Sequence, residues 1–80
     1  MPSRRYGPYR FFFYGADLLR EPIHFHIEVG GQVAKFWLNP IECASTGGIK
    51  AHELRKIERV IDDNYAALFA FWEDERKKLL

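Results

Sequence analysis

Residues 24–38 decide the fold, and they read His24-Phe25-His26-Ile27-Glu28-Val29-Gly30-Gly31-Gln32-Val33-Ala34-Lys35-Phe36-Trp37-Leu38. The first six alternate between polar and apolar side chains, which is typical of a β-strand with one face on a core. Glycines adopt positive φ without strain, so the adjacent pair Gly30-Gly31 predicts the tight turn of a β-hairpin. The stretch therefore predicts two antiparallel strands, with Phe25, Ile27 and Phe36 facing inward.

Segments on both sides extend this hairpin into a larger sheet. Residues 9–14 are almost entirely aromatic, and they predict a strand ahead of the hairpin. After Pro40, residues 41–44 alternate weakly, which indicates either a fourth strand or one helical turn. Residues 1–8 hold two prolines, a glycine and two arginines without periodicity, and they indicate an irregular basic arm.

The C-terminal third has the apolar spacing of an amphipathic helix. Apolar residues recur at intervals of three and four, at Leu54, Ile57, Ile61, Tyr65, Leu68 and Trp72. Asn64 is a competent N-cap residue, so the segment is either one long helix or two short ones. We predict a single α+β domain over residues 1–80, with an antiparallel sheet of three or four strands packed on these helices. The opposite face of the sheet is expected to be left open.

Composition narrows the class of protein. The chain has 80 residues, of which 48% are hydrophobic and 16% aromatic, so large rings supply the burial that a short chain needs. The one cysteine, Cys43, cannot form an internal disulfide, and we expect it to be a small buried residue. No apolar run approaches the roughly 20 residues of a membrane span, and no secretion signal is recognisable. We therefore expect a cytoplasmic protein that does not act at a membrane.

Three polar side chains share the strand face opposite the predicted core. His24, His26 and Glu28 emerge on that face at intervals of about 6.5–7 Å, which makes them the candidate catalytic residues. Imidazoles titrate near neutrality, so one histidine is able to act as general base and the other as general acid in RNA cleavage.

Two other hypotheses assign the histidines different roles. Imidazoles and a carboxylate form the kind of set that binds Zn²⁺ or Fe²⁺, although a closed site then needs a ligand from Asp17, Glu21, Cys43 or His52. Alternatively, His24 and His26 tie the connection over residues 17–22 to the sheet while a ring packs on Trp37. The sequence favours this structural hypothesis, and it assigns neither a metal nor another cofactor.

The candidate partner-binding residues are Trp37, Lys35 and Arg20. Trp37 lies on the opposite face of its strand from Phe36, and aromatic residues are enriched at interface hot spots. Lys35 and Arg20 are able to hold a phosphate, although the register that would place Lys35 beside the histidines is not fixed by the sequence. Trp72 is expected to lie in the core.

One pattern runs through most of the chain. It consists of Arg20-Glu21-Pro22-Ile23-His24-Phe25-His26-Ile27-Glu28, Gly30-Gly31, Ala34-Lys35-Phe36-Trp37-Leu38-Asn39-Pro40, His52-Glu53-Leu54 and a late tryptophan. Over roughly residues 11–75 this resembles the family named domain of unknown function 4160, which commonly has a second proline where this chain has Ile23. The resemblance implies a small bacterial protein of no settled activity, encoded beside another small protein in arrangements that look like toxin–antitoxin pairs.

We therefore expect a toxin–antitoxin-like interaction module, the toxin-like member of a two-protein pair, whose partner is a small cognate protein encoded nearby. The alternative is a small RNA-cleaving or metal-dependent enzyme that uses His24 and His26. Contact with RNA and formation of a homo-oligomer stay open, and no membrane partner is expected.

Overall fold

The computed structural model describes residues 2–80 and shows an antiparallel sheet with two C-terminal helices on one face and a short helix between the second and third strands. The five strands are β1 (Ser3–Tyr6), β2 (Tyr9–Phe12), β3 (His24–Val29), β4 (Gln32–Leu38) and β5 (Ile41–Ser45), and the helices are α1 (Asp17–Arg20), α2 (Ala51–Asp63) and α3 (Tyr65–Lys77). Each strand pairs with the next one in sequence, so the sheet is a simple meander. The α+β prediction is confirmed, with five strands where three or four were expected.

The predicted hairpin forms between β3 and β4. Gly30 and Gly31 both have positive φ, 55° and 79°, as the tight turn requires. The register pairs Phe25 with Phe36, and both side chains are buried in the core. The same register pairs His26 with Lys35, which places Lys35 on the histidine face.

Aromatic rings join the sheet to the helices. Phe25 of β3 stacks on Phe71 of α3 with a centroid distance of 5.9 Å, and Phe13 lies 5.1 Å from the same ring. Trp72 is 2% exposed, so its predicted place in the core is confirmed. The core is thus a layer of large rings with Ile57, Ile61 and Leu68 from the helices.

The C-terminal helical region breaks at Asn64. The side-chain amide of Asn64 donates a hydrogen bond of 2.8 Å to the carbonyl of Val60, and its backbone φ and ψ of −120° and 23° interrupt the helix. Of the two alternatives, the chain therefore adopts two short helices. No helix within residues 2–80 has the length and apolarity needed to cross a membrane.

The prediction of an irregular arm over residues 1–8 is wrong for Ser3–Tyr6, which form the edge strand β1. Gly7, with φ of 59°, permits the two-residue turn that pairs Tyr6 with Tyr9. The ring of Tyr6 packs edge-on against Phe11 at 5.5 Å, and the guanidinium of Arg4 lies 4.1 Å from the centroid of Phe71. Met1 of the predicted arm lies outside the described residues.

The edge strand β5 resolves a second ambiguity. Residues 41–45 pair with β4 and leave four of their five side chains exposed. The strand interpretation of this segment is therefore correct, whereas the expectation that Cys43 is buried is wrong. A weakly alternating pattern does not distinguish an edge strand from one that is covered on both faces.

Two glycines offer a matched test of this topology. A Cβ at Gly47 would overlap the carbonyl oxygen of Val33, whereas a Cβ at Gly30 would meet nothing within 4 Å, and both residues have positive φ. We expect Gly30→Ala to cost about 1–2 kcal/mol of unfolding free energy through backbone strain alone. Gly47→Ala should cost more than about 3 kcal/mol because the β5–α2 connection must also move away from β4. Urea unfolding followed by circular dichroism measures both, and equal losses would contradict the packing of Gly47 on β4.

Candidate functional site

The connection between β2 and β3 folds back over one end of the sheet and brings Asp17 to the histidines. Asp17 begins helix α1, where its Oδ2 accepts a hydrogen bond of 3.1 Å from the backbone N–H of Tyr14. The same Oδ2 lies 3.2 Å from Nε2 of His24 and 3.4 Å from Nε2 of His26. Leu18 is buried and anchors the helix. One carboxylate oxygen therefore faces both imidazoles.

His24 is the most deeply buried polar side chain of this site, with 0% exposure. Its Nδ1 lies 3.0 Å from the carbonyl oxygen of Pro22 and, because a carbonyl only accepts, Nδ1 carries the proton and donates it. The ring lies 5.3 Å from each of the rings of Trp37 and Trp72. These contacts join β3, β4, α3 and the α1 connection, as the structural hypothesis for His24 requires.

His26 is partly exposed and lies among other rings. It stacks on Phe12 at 5.3 Å, and Tyr14 packs edge-on against it at 5.1 Å. Burial lowers the pKa of His26 below its usual value, opposed by a hydrogen bond with Asp17 and reinforced by the nearby His24 and Lys35. His26 is therefore neutral at pH 7.

The carboxylate of Asp17 is ionised. Burial by itself would raise the pKa of Asp17, but the hydrogen bond from Tyr14 and the neighbouring His24 and His26 outweigh it, so the pKa lies below its usual value. The site at neutral pH thus combines one negative charge with at least one neutral imidazole.

Glu28 takes part in a different interaction from the one that the sequence suggested. Its Oε1 accepts a hydrogen bond of 2.8 Å from Nε of Arg10 on β2, and Nη2 of the same guanidinium forms an ion pair with it at 2.8 Å. Within residues 2–80, the group of potential ligands whose atoms all lie within 4.8 Å of one another consists of Asp17, His24 and His26. Asp17 therefore occupies the position beside the histidines that the strand pattern suggested for Glu28.

The other candidate third ligands lie elsewhere. Glu21 accepts a hydrogen bond of 2.9 Å from Nζ of Lys35, Cys43 is on the edge strand β5, and His52 is exposed on α2. From the sequence, Asp17 was one of four equally plausible third ligands. Its approach to His24 depends on the path of the chain through Pro22, which no local pattern specifies.

The expectation that the histidine face of the sheet is open is wrong at the His24 end, because the α1 connection covers it. The rest of that face carries what we call the open sheet patch, defined as Arg10, Glu28, Val33, Lys35 and Trp37. Within it, Nζ of Lys35 lies 4.5 Å from the ring centroid of Trp37, which is half-buried, and Val33 is 38% exposed. The third candidate partner-binding residue, Arg20, is exposed at the end of α1.

Three shallow clefts border α2 and its N-terminal connection, and none of them includes His24 or His26. One of about 510 Å³ is lined by Ile41, Arg55, Glu58, Arg59 and Asp62. The histidine site is thus a packed polar corner and not part of these clefts.

Comparison with known protein families matches residues 9–73 to the family described as Domain of unknown function (DUF4160). The chain belongs to this family. The matched region begins at β2 and ends in α3, so it contains Asp17, His24 and His26, whereas β1 precedes it. No curated protein and no solved structure matches the chain. The resemblance noted in the sequence is confirmed.

The different surroundings of His24 and Glu28 predict different costs of truncation. His24→Ala removes a fully buried ring and leaves the Pro22 carbonyl without its donor, so we expect a loss of about 2–5 kcal/mol in unfolding free energy. Glu28→Ala breaks a partly exposed ion pair and should cost less than about 1 kcal/mol. Denaturant unfolding of the two variants measures both values. Similar losses would show that the packing described for His24 is incorrect.

Proposed function

We propose that this protein is an interaction module, the toxin-like member of a toxin–antitoxin-like pair, and that it binds a small cognate protein through the open sheet patch. The observation that supports this most is the composition of the patch. An exposed valine and a half-buried tryptophan flank Lys35 on β4, and Lys35 and Arg10 already have acidic partners. Apolar and aromatic groups surrounded by polar ones are typical of protein interfaces.

The pairing of the basic residues favours a protein partner over RNA. Arg10 is paired with Glu28 at 2.8 Å, and Lys35 with Glu21 at 2.9 Å. Binding to nucleic acid gains most of its free energy when unpaired cations neutralise phosphates and release counterions. Cations that already face carboxylates gain less from a phosphate, whereas Val33 and Trp37 gain from burial against any apolar surface.

The burial of His24 weighs against the RNA-cleaving alternative. A general acid and a general base must both come within hydrogen-bonding distance of the reacting atoms. His24 has no exposed surface, and its Nδ1 is engaged by Pro22. Binding of a partner through the open sheet patch uses accessible side chains and does not require His24 to contact the partner.

We also propose that the pair acts in the cytoplasm. Cys43 is the one cysteine of the chain and its side chain is exposed. An exposed free thiol persists in a reducing compartment and is readily oxidised outside it.

Two apolar residues of similar exposure test the proposed surface. Val33 on β4 is 38% exposed, and Phe69 on α3 is 41% exposed on the other layer of the molecule. We expect the wild-type chain to bind the protein encoded beside its gene at micromolar concentration. Val33→Arg should weaken this complex at least about tenfold, which corresponds to about 1.4 kcal/mol, because a charge is buried at the interface. Phe69→Arg should leave the affinity within about threefold of wild type.

Isothermal titration calorimetry with size-exclusion chromatography measures these affinities. Absence of a wild-type complex would overturn the proposal. So would loss of binding in Phe69→Arg with retention in Val33→Arg, or a salt-sensitive complex with RNA in place of the protein.

Growth of a bacterial host provides a second test. We expect expression of the chain to slow growth, and co-expression of the neighbouring protein to restore it for wild type but not for Val33→Arg. His26→Gln should still slow growth, because the imidazole is not required as a catalyst. A His26→Gln chain that folds and binds the partner, yet no longer slows growth, would support the enzymatic alternative instead.

A further inference from the structure

The second ring nitrogen of His24 has no hydrogen-bond partner although it is completely buried. Nδ1 donates to the Pro22 carbonyl, so in a neutral ring Nε2 is unprotonated and presents a lone pair. That Nε2 lies 3.2 Å from Oδ2 of Asp17, but makes no hydrogen bond with it. Two electron-rich atoms therefore approach each other in a buried position, which is unfavourable unless a positive charge lies beside both.

Water cannot act as the missing partner, because the ring of His24 has no exposed surface and lies between the rings of Trp37 and Trp72. The Oδ2 of Asp17 already accepts a hydrogen bond from the backbone N–H of Tyr14. A metal ion supplies the positive charge while both imidazoles remain neutral, which is the form in which histidine binds metals.

The two distances from Oδ2 of Asp17 to the imidazole nitrogens match the edges of a metal-coordination polyhedron. Nitrogen and oxygen ligands lie about 2.0–2.1 Å from Zn²⁺, which puts two ligands of a tetrahedral ion about 3.3–3.4 Å apart. The observed distances from Oδ2 of Asp17 are 3.2 Å to His24 and 3.4 Å to His26, and all three atoms lie within 4.8 Å of one another. The lone pairs of ligands that share one ion point at the ion and not at one another. The absence of a hydrogen bond between Nε2 of His24 and Oδ2 of Asp17 agrees with such an arrangement.

The surroundings hold His24 and Asp17 as metal ligands are usually held. Metal-binding histidines commonly donate their other N–H to a backbone carbonyl, which fixes the ring and its tautomer. The Pro22 carbonyl accepts this hydrogen bond from His24, and the backbone N–H of Tyr14 orients Asp17 by donating a hydrogen bond to its carboxylate. Phe12, Trp37 and Trp72 surround the group with apolar rings, which reduce competition from water.

We propose that Oδ2 of Asp17 and the Nε2 atoms of His24 and His26 bind one divalent transition-metal ion, with Zn²⁺ as the ion that fits best. Two nitrogen donors and one carboxylate suit Zn²⁺, whereas Mg²⁺ and Ca²⁺ prefer oxygen ligands throughout. The ion links α1 to β3 and thereby fixes the β2–β3 connection on the sheet. Binding of the metal does not depend on the proposed protein partner.

Titration of Zn²⁺ into the metal-free full-length chain, followed by calorimetry and by NMR of the three histidines, tests this site. We expect one ion per chain, a higher melting temperature with Zn²⁺, and shifts of the ring signals of His24 and His26 without a shift for His52. Asp17→Asn should weaken binding about 10- to 100-fold or more, since it removes the charged ligand but keeps its shape. Mg²⁺ should not bind at the same concentrations.

The chain contains its own controls, because adventitious zinc binds exposed histidines and thiols. His52→Ala and Cys43→Ser remove the other imidazole and the one thiol, and both variants should bind Zn²⁺ as wild type does. Asp17→Asn keeps the test valid even if His24→Ala does not fold. Absence of Zn²⁺ binding, or binding that is lost with His52 or Cys43 and kept in Asp17→Asn, would overturn the proposal.

Discussion

The imidazole of His24 is the contact on which the rest of this structure depends. It is enclosed by Trp37 from the sheet and Trp72 from α3, and it is hydrogen-bonded to the connection that carries α1. The hydrogen bond of Nδ1 with the Pro22 carbonyl is needed in such a place, because an unpaired buried polar group costs as much as a lost hydrogen bond or more. The hydrogen bond between His24 and Pro22 therefore fixes the course of the β2–β3 connection.

This constraint divides the histidine face of the sheet into two parts with different properties. At one end, Asp17, His24 and His26 form a packed corner with little access to water. Beside this corner, the open sheet patch presents Trp37 opposite His24 and Val33 opposite Glu28, with the ion pair of Lys35 and Glu21 between them. The buried corner and the proposed interaction surface therefore adjoin each other on the same sheet. A ligand held in the corner would order the connection that borders the patch.

Local patterns in the sequence were sufficient for the hairpin and for the type of fold. Alternation in β3 correctly assigned Phe25 and Ile27 to the core, and the two glycines correctly marked the turn, because both signals are set by neighbouring residues. β1 escaped detection, because Arg4 and Arg5 on an edge strand give no apolar alternation and Pro8 resembles a break. The exposure of Cys43 was missed for a similar reason, since only the position of β5 in the sheet decides it.

The site required information that no local pattern contains. Asp17 lies beside His24 and His26 because the chain turns back through α1 and Pro22. The spacing of seven residues between Asp17 and His24 does not predict that path. The position of Lys35 beside His26 follows from strand register, which the hairpin turn determines only once the pairing is known. The strand pattern instead suggested Glu28, whose nearest basic partner, Arg10, comes from a separate strand.

The tautomer of His24 is the most direct test of this account. Long-range ¹H–¹⁵N correlation spectra of the metal-free chain report which ring nitrogen carries the proton, and exposed His52 serves as an internal reference. The account predicts a single tautomer with the proton on Nδ1, held by the Pro22 carbonyl and slow to exchange with water. A proton on Nε2, or a ring that averages between tautomers as His52 does, would contradict it.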